Sequence, residues 1–62
     1  MEQIDRIMKI QEVVKITGLP KSTIYAKMEK NEFPKPLKLS IRSVGWRQST
    51  IKKWIDELEE AS

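Results

Sequence analysis

At 62 residues, 39% hydrophobic and 34% charged, the chain makes one small domain, of a size that buries only about 60% of the surface its unfolded chain exposes. It has no cysteine and no histidine, which excludes disulfide staples and the ligand sets of the common structural zinc sites. No apolar run approaches the roughly 20 residues of a membrane span and no signal-peptide core opens the chain, so the composition points to a soluble, cytoplasmic domain that contacts no membrane.

The termini, residues 1–5 and 60–62, are expected to fray. Arg6 to Lys9 reads as a short strand. Ile10, Val13, Val14 and Thr17 then fall at the spacing of one buried helical face, which predicts a first helix over Ile10 to Thr17 with Gln11, Glu12 and Lys15 outward. Its two adjacent valines have modest helix propensity, so packing against a second helix must hold it.

Thr17-Gly18-Leu19-Pro20 breaks that helix. Gly18 suits the left-handed residue that ends a helix, and Pro20 suits the first position of the next one, where a missing N–H is harmless. The second helix is expected from Pro20 or Lys21 to Lys30 or Asn31, with Asn31 as its left-handed terminator. Ile24 and Met28 lie one turn apart on its inner side, while Lys21, Ser22, Tyr25 and Lys27 spread around the rest. Phe33 follows as a large apolar group placed to cover the end of the two-helix unit, and Pro34 and Pro36 force Phe33 to Leu37 into extended backbone.

From Leu37 the period becomes two. Leu37, Leu39 and Ile41 alternate with Lys38, Ser40 and Arg42, and Val44 and Trp46 alternate with Gly45 and Arg47, which predicts a β-hairpin whose tip lies near Ser40 to Ser43. The tip lacks an Asn-Gly or Asp-Gly pair, so a loop longer than two residues is expected. An isolated hairpin is marginal in water, so Leu37, Leu39, Val44 and Trp46 are expected to pack on the helices. Ser49 is the expected N-cap of a last helix, whose buried face is Ile51, Trp54, Ile55 and Leu58. The predicted core is Val14, Leu19, Ile24, Met28, Val44, Trp46, Ile51, Trp54 and Ile55, with each indole N–H finding a partner.

Helix, turn, helix, basic hairpin, helix is the order of a winged helix-turn-helix, a mainly α fold with one small hairpin that presents its second helix to the DNA major groove. The charge distribution agrees. Net charge is only +3, but residues 21–53 carry nine basic side chains against two acidic ones, and residues 54–62 carry four acidic and no basic ones. A positive excess that coincides with the second helix and hairpin favours a phosphate-binding face over a merely solvated surface. Ser22 and Thr23 in the first helical turn can bond phosphate or a base edge, and Lys27 can reach guanine acceptors. The Tyr25 hydroxyl can meet phosphate; equally, its ring can cover the junction of helix and wing. Lys38 suits the DNA backbone, and Arg42 at the wing tip suits phosphate or a narrow minor groove. With Lys21, Lys35 and Arg47 these form the candidate DNA-binding set.

Ile10-Gln11-Glu12-Val13, Thr17 to Tyr25, Glu32-Phe33-Pro34-Lys35-Pro36, Val44-Gly45-Trp46-Arg47 and Trp54-Ile55 together resemble the AlpA-type prophage regulators, over about Arg6 to Leu58. The chain departs from the usual pattern at Pro20, where a capping serine is common, and at the hairpin tip, where glycines are common. The resemblance implies a winged fold similar to MerR-like and excisionase domains, and a role as a DNA-binding transcription regulator or excisionase-like factor of a mobile element. Double-stranded DNA is then the expected partner, with a second copy of the chain or a recombinase as further partners, and no cofactor, metal or small-molecule ligand is implied. An enzyme is hard to build without histidine, cysteine or a glycine-rich phosphate loop. The rival reading is a protein-interaction module that uses the same scaffold inside a recombination or toxin-antitoxin complex.

Overall fold

In the computed structural model, which describes residues 4–61, the element order is β1 (Ile7–Met8), α1 (Ile10–Thr17), α2 (Lys21–Glu29), β2 (Leu37–Ser40), β3 (Ser43–Arg47) and α3 (Gln48–Asp56). This is a winged helix-turn-helix. Of the termini expected to fray, residues 1–3 and 62 lie outside the described range.

The helix-turn-helix closes through local hydrogen bonds. Gly18 adopts φ 75°, and its N–H donates to the Val14 carbonyl at 2.9 Å, a left-handed cap in which glycine carries no Cβ penalty. The Thr17 hydroxyl donates to the Val13 carbonyl at 2.8 Å and accepts from the Leu19 N–H at 3.2 Å, which turns the chain toward α2. Pro20 stands one position earlier than expected. Its ψ of 153° makes it the extended N-cap residue, and its carbonyl accepts the first helical bond from Ile24 at 3.1 Å. Asn31 does end α2 in the left-handed region, at φ 60°. The Asn31 N–H bonds the Met28 carbonyl at 3.1 Å and the Glu32 N–H bonds that of Lys27 at 2.8 Å, the two bonds of a Schellman cap.

The sheet has three antiparallel strands in the order β1-β3-β2. Met8 pairs with Trp46 and Ile7 with Arg47, so the short N-terminal strand read from Arg6 to Lys9 lies along the wing's second strand. Two expectations about the wing fail. Ser40 pairs directly with Ser43, leaving Ile41 and Arg42 as a two-residue turn, and the register shifts between Lys38 and Ser40. The leucines also miss the core. An added Cβ on Gly45 would lie 3.2 Å from Leu39 Cδ1 and 2.6 Å from Ile7 Cγ2, which puts both side chains on the sheet face opposite Trp46. Leu39 and Val44 are 42% and 40% exposed.

The core side chains that are fully or nearly buried are Met8, Val13, Ile24, Phe33, Trp46 and Ile51, with Ile10, Val14, Leu19, Met28, Trp54 and Ile55 packed half-buried around them. Val44 is thus removed from the predicted core, and Met8, Val13 and Phe33 enter it. Met8 is buried because its strand pairing turns it to the face of Trp46. Phe33 meets Trp46 edge-on at 6.1 Å and Trp54 at 4.7 Å between centroids. Both indoles find partners: Trp46 donates to the Pro34 carbonyl at 2.8 Å and Trp54 to the Glu32 carbonyl at 3.0 Å. Three aromatic rings and two hydrogen bonds therefore fix the short segment that joins α2 to the wing.

Ser49 is not the N-cap of α3. The helix begins at Gln48 with Arg47 as an extended cap residue that makes no side-chain bond. Asp5 does the capping from outside the helix: it accepts the Ser49 N–H at 3.2 Å and the Ser49 hydroxyl, while the Gln48 N–H donates to the Arg6 carbonyl at 2.8 Å. An acidic side chain at a helix N-terminus satisfies free amides and complements the dipole. The helix ends at Asp56, so Leu58 lies outside it and is 55% exposed. Among the described residues, no helix is long and apolar enough to cross a membrane.

Candidate nucleic-acid interface

The orientation of α2 follows from its burial pattern. Ile24 is fully buried and Met28 half-buried, so these two anchor the helix on the core. Residues two positions away around the helix from such anchors point outward, and Ser22 and Ala26 are accordingly both exposed and one turn apart. Lys21 and Tyr25 form one flank. Lys21 Nζ lies 6.0 Å from the centre of the Tyr25 ring, and Tyr25 is 38% exposed. Thr23 and Lys27 form the other flank and are half-buried. Lys27 borders a shallow apolar cleft with Leu19, Trp54, Ile55 and Leu58, so its stem lies along α3 rather than on the outward midline.

Lys35 stands across an open cleft from Tyr25 and Glu29, together with Asn31 and Pro36. Tyr25 therefore occupies the junction between α2 and the segment leading to the wing. Lys38 pairs in register with Val44, and Arg42 sits in the wing turn beside Ile41, which is 91% exposed. Arg47 ends β3 opposite Ile7, close enough to Asp5 to help hold that carboxyl below its ordinary value, although the larger cause is the Ser49 hydroxyl bonded to it. Arg47 is thus near a carboxylate that the other wing cations lack.

Among the described residues the ion pairs are Arg6 with Glu12 and Lys52 with Asp56, the latter at 2.8 Å. Neither involves a member of the candidate set. The Asp56 carboxylate also raises the Lys52 pKa, chiefly through its hydrogen bond. Arg6 and Lys52 are thus paired, whereas Lys21, Lys27, Lys35, Lys38, Arg42 and Arg47 form no ion pair among the described residues, as is also true of Lys9, Lys15, Lys30 and Lys53 outside the set.

The profile of the family described as prophage CP4-57 regulatory protein (AlpA) matches residues 6–59. The chain belongs to the AlpA family. A protein of Enterobacteria phage P4 designated ORF88, itself uncharacterized, is 35% identical over 51 residues, covering 82% of this chain and 58% of the phage protein. The DNA-binding transcriptional activator AlpA of Escherichia coli K12 is 31% identical over 58 residues, covering 84% of this chain and 83% of the activator. The chain thus spans somewhat over half the length of the phage relative and most of the E. coli one. No solved structure matches it significantly. Membership of the AlpA family agrees with the winged architecture, since the matched range takes in every strand and helix from β1 to α3.

Helix geometry separates the candidate residues more finely than the linear sequence could. The sequence offers Ser22, Thr23 and Lys27 alike as base-edge candidates, but with Ile24 and Met28 on the core only Ser22 among them shares the outward side with Ala26, while Thr23 and Lys27 are half-buried. Ala26 had no signal in the sequence, because an alanine carries neither charge nor hydrogen-bonding group.

Proposed function

We propose that this chain is a sequence-specific double-stranded DNA-binding protein of a prophage or mobile element, acting in the cytoplasm as a transcriptional regulator or an excisionase-like factor. In this reading α2 enters the major groove, with Ser22 and Ala26 facing the base edges and Lys21, Thr23, Tyr25 and Lys27 along its flanks; Lys35, Lys38, Arg42 and Arg47 follow the backbone or the minor groove. The observation that carries it is the outward face of α2: exposed, made of short polar or small side chains, and bordered by cations that form no ion pair among the described residues. Unpaired lysines and arginines release condensed counterions when they meet phosphates, which is the main source of sequence-independent affinity. The DNA-binding activator among its relatives supports the same reading.

One module of this size buries only about 600–1,000 Å² of its surface on DNA, so two or more copies on repeated half-sites, or a recombinase partner, complete the recognition. A gel-shift series against competitor duplex over a range of salt tests the proposal. Binding that weakens steeply with salt and survives competition by unrelated duplex is expected. Absence of salt-dependent duplex binding would instead favour the second reading, a protein-interaction module, for which the exposed Ile16 and Leu58 beside Ile55 offer an apolar cleft.

A further inference from the structure

The outward midline of α2 carries no long side chain for its first two turns. Ser22 and Ala26 occupy it, and the lysines of the helix stand to either side, Lys21 leaning toward Tyr25 and Lys27 along the cleft beside Trp54. A helix with such a midline can bring its backbone nearer the floor of a groove than one whose midline bears lysine or glutamine. The side chain at the point of closest approach is then a bare methyl. It has no donor or acceptor, so the amino and carbonyl groups of the base edges gain nothing from it and lose water. The thymine C5-methyl is the major-groove feature that an alanine methyl complements.

We propose that Ala26 is a specificity-determining residue, which reads a thymine methyl by apolar contact while the small Ser22–Ala26 midline lets α2 seat deeply. The inference rests on α2 occupying the major groove. Alanine is also the strongest helix former, and a helix-forming role alone would make position 26 indifferent to the base beneath it.

The experiment starts from the preferred site selected by the full chain out of a random duplex pool. Each thymine of that site is replaced in turn by uracil, which removes only the methyl group. Wild-type protein should lose about fourfold in affinity at one thymine, the worth of one buried methyl, and Ala26→Gly should be insensitive at that thymine alone. Ala26→Gln, which retains good helix propensity, should lose at least about tenfold on the preferred site with unchanged affinity for random duplex. Circular dichroism of both variants confirms that they remain folded, and Ala26→Ser serves as the second small variant if the glycine loosens the helix. Uniform indifference to uracil, or a glutamine variant that binds the preferred site as tightly as wild type, overturns the role of Ala26 while leaving the groove assignment standing. Failure of the wild-type chain to bind any duplex overturns both, and salt-dependent binding with no preferred site overturns this one.

Discussion

Replacing Trp46 by alanine should remove a large share of the domain's stability, more than either Trp54→Ala or Trp46→Phe. Trp46 is 1% exposed, pairs across to Met8 of β1, meets Phe33 edge-on and donates to the Pro34 carbonyl. Burying an indole removes on the order of 150–250 Å² from water, worth about 4–6 kcal/mol as an upper figure. Tryptophan-to-alanine changes in cores cost about 3–5 kcal/mol by mutation. The whole domain, at the usual stability per residue, has only about 3–9 kcal/mol. Trp54 makes a useful contrast because it is half-buried while touching the same Phe33 ring; Trp54→Ala should cost roughly half as much, about 2–3 kcal/mol. Trp46→Phe keeps most of the apolar volume but strands the Pro34 carbonyl, for about 1–3 kcal/mol. Urea unfolding followed by circular dichroism measures all three. The order of destabilisation should be Trp46→Ala, then Trp54→Ala and Trp46→Phe at similar values. Should Trp54→Ala prove the most damaging, the core would be centred on α3 rather than on the junction of α2 and the wing, and Trp46 would not be its keystone.

Gly45→Ala should destabilise by about 1–3 kcal/mol, since its Cβ would lie 2.6 Å from Ile7 Cγ2 and 3.0 Å from the Met8 carbonyl oxygen; adding Ile7→Ala should recover part of the stability in thermal melts, and no recovery would argue against a clash with β1. Gly18→Ala forces a Cβ into the left-handed region and should cost about 1 kcal/mol, with Gly18→Asn nearer to wild type in urea titration. Asp5 has a native pKa below its ordinary value, chiefly because the Ser49 hydroxyl bonds its carboxylate. Its contribution is therefore complete above the unfolded-state pKa and disappears as the pH falls through the lower native value; Asp5→Asn should lower the melting temperature at neutral pH and converge with wild type in acid. Lys38→Ala and Arg42→Ala should weaken binding to all duplexes alike and flatten the salt slope by about one unit for each phosphate left unneutralised, whereas Ser22→Ala should reduce the ratio of specific to random binding. Equal effects of all three on that ratio would remove the division between helix and wing.

Much of this domain is written in local sequence. The 3.6-residue spacing of Ile10, Val13, Val14 and Thr17 is enough to bound α1, and Gly18 and Asn31 end their helices in the left-handed region because those residues tolerate it at least cost. The order of helices and hairpin, and the family resemblance carried by the segments around Tyr25, Phe33 and Trp46, follow from the same local patterns. What the sequence could not decide depends on contacts between distant residues. Ser49 looks like a cap, yet Asp5, 44 positions earlier, takes that role because β1 lies along β3 and delivers it there. Leu37, Leu39 and Val44 alternate as core residues would, but the strand register sets Leu37 opposite Gly45, so the leucines fall on the sheet face away from Trp46, and Val44 stays 40% exposed. Phe33 reads in the sequence as a cover for the end of the two-helix unit, but its place in the core comes from two indoles, on β3 and α3, that converge on it. The inner face of α2 is legible as Ile24 and Met28, one turn apart; what only the tertiary structure decided is where the flanking cations lie, Lys27 along a cleft with Trp54 and Leu58, and Lys35 across an open cleft from Tyr25, because those neighbours come from distant parts of the chain.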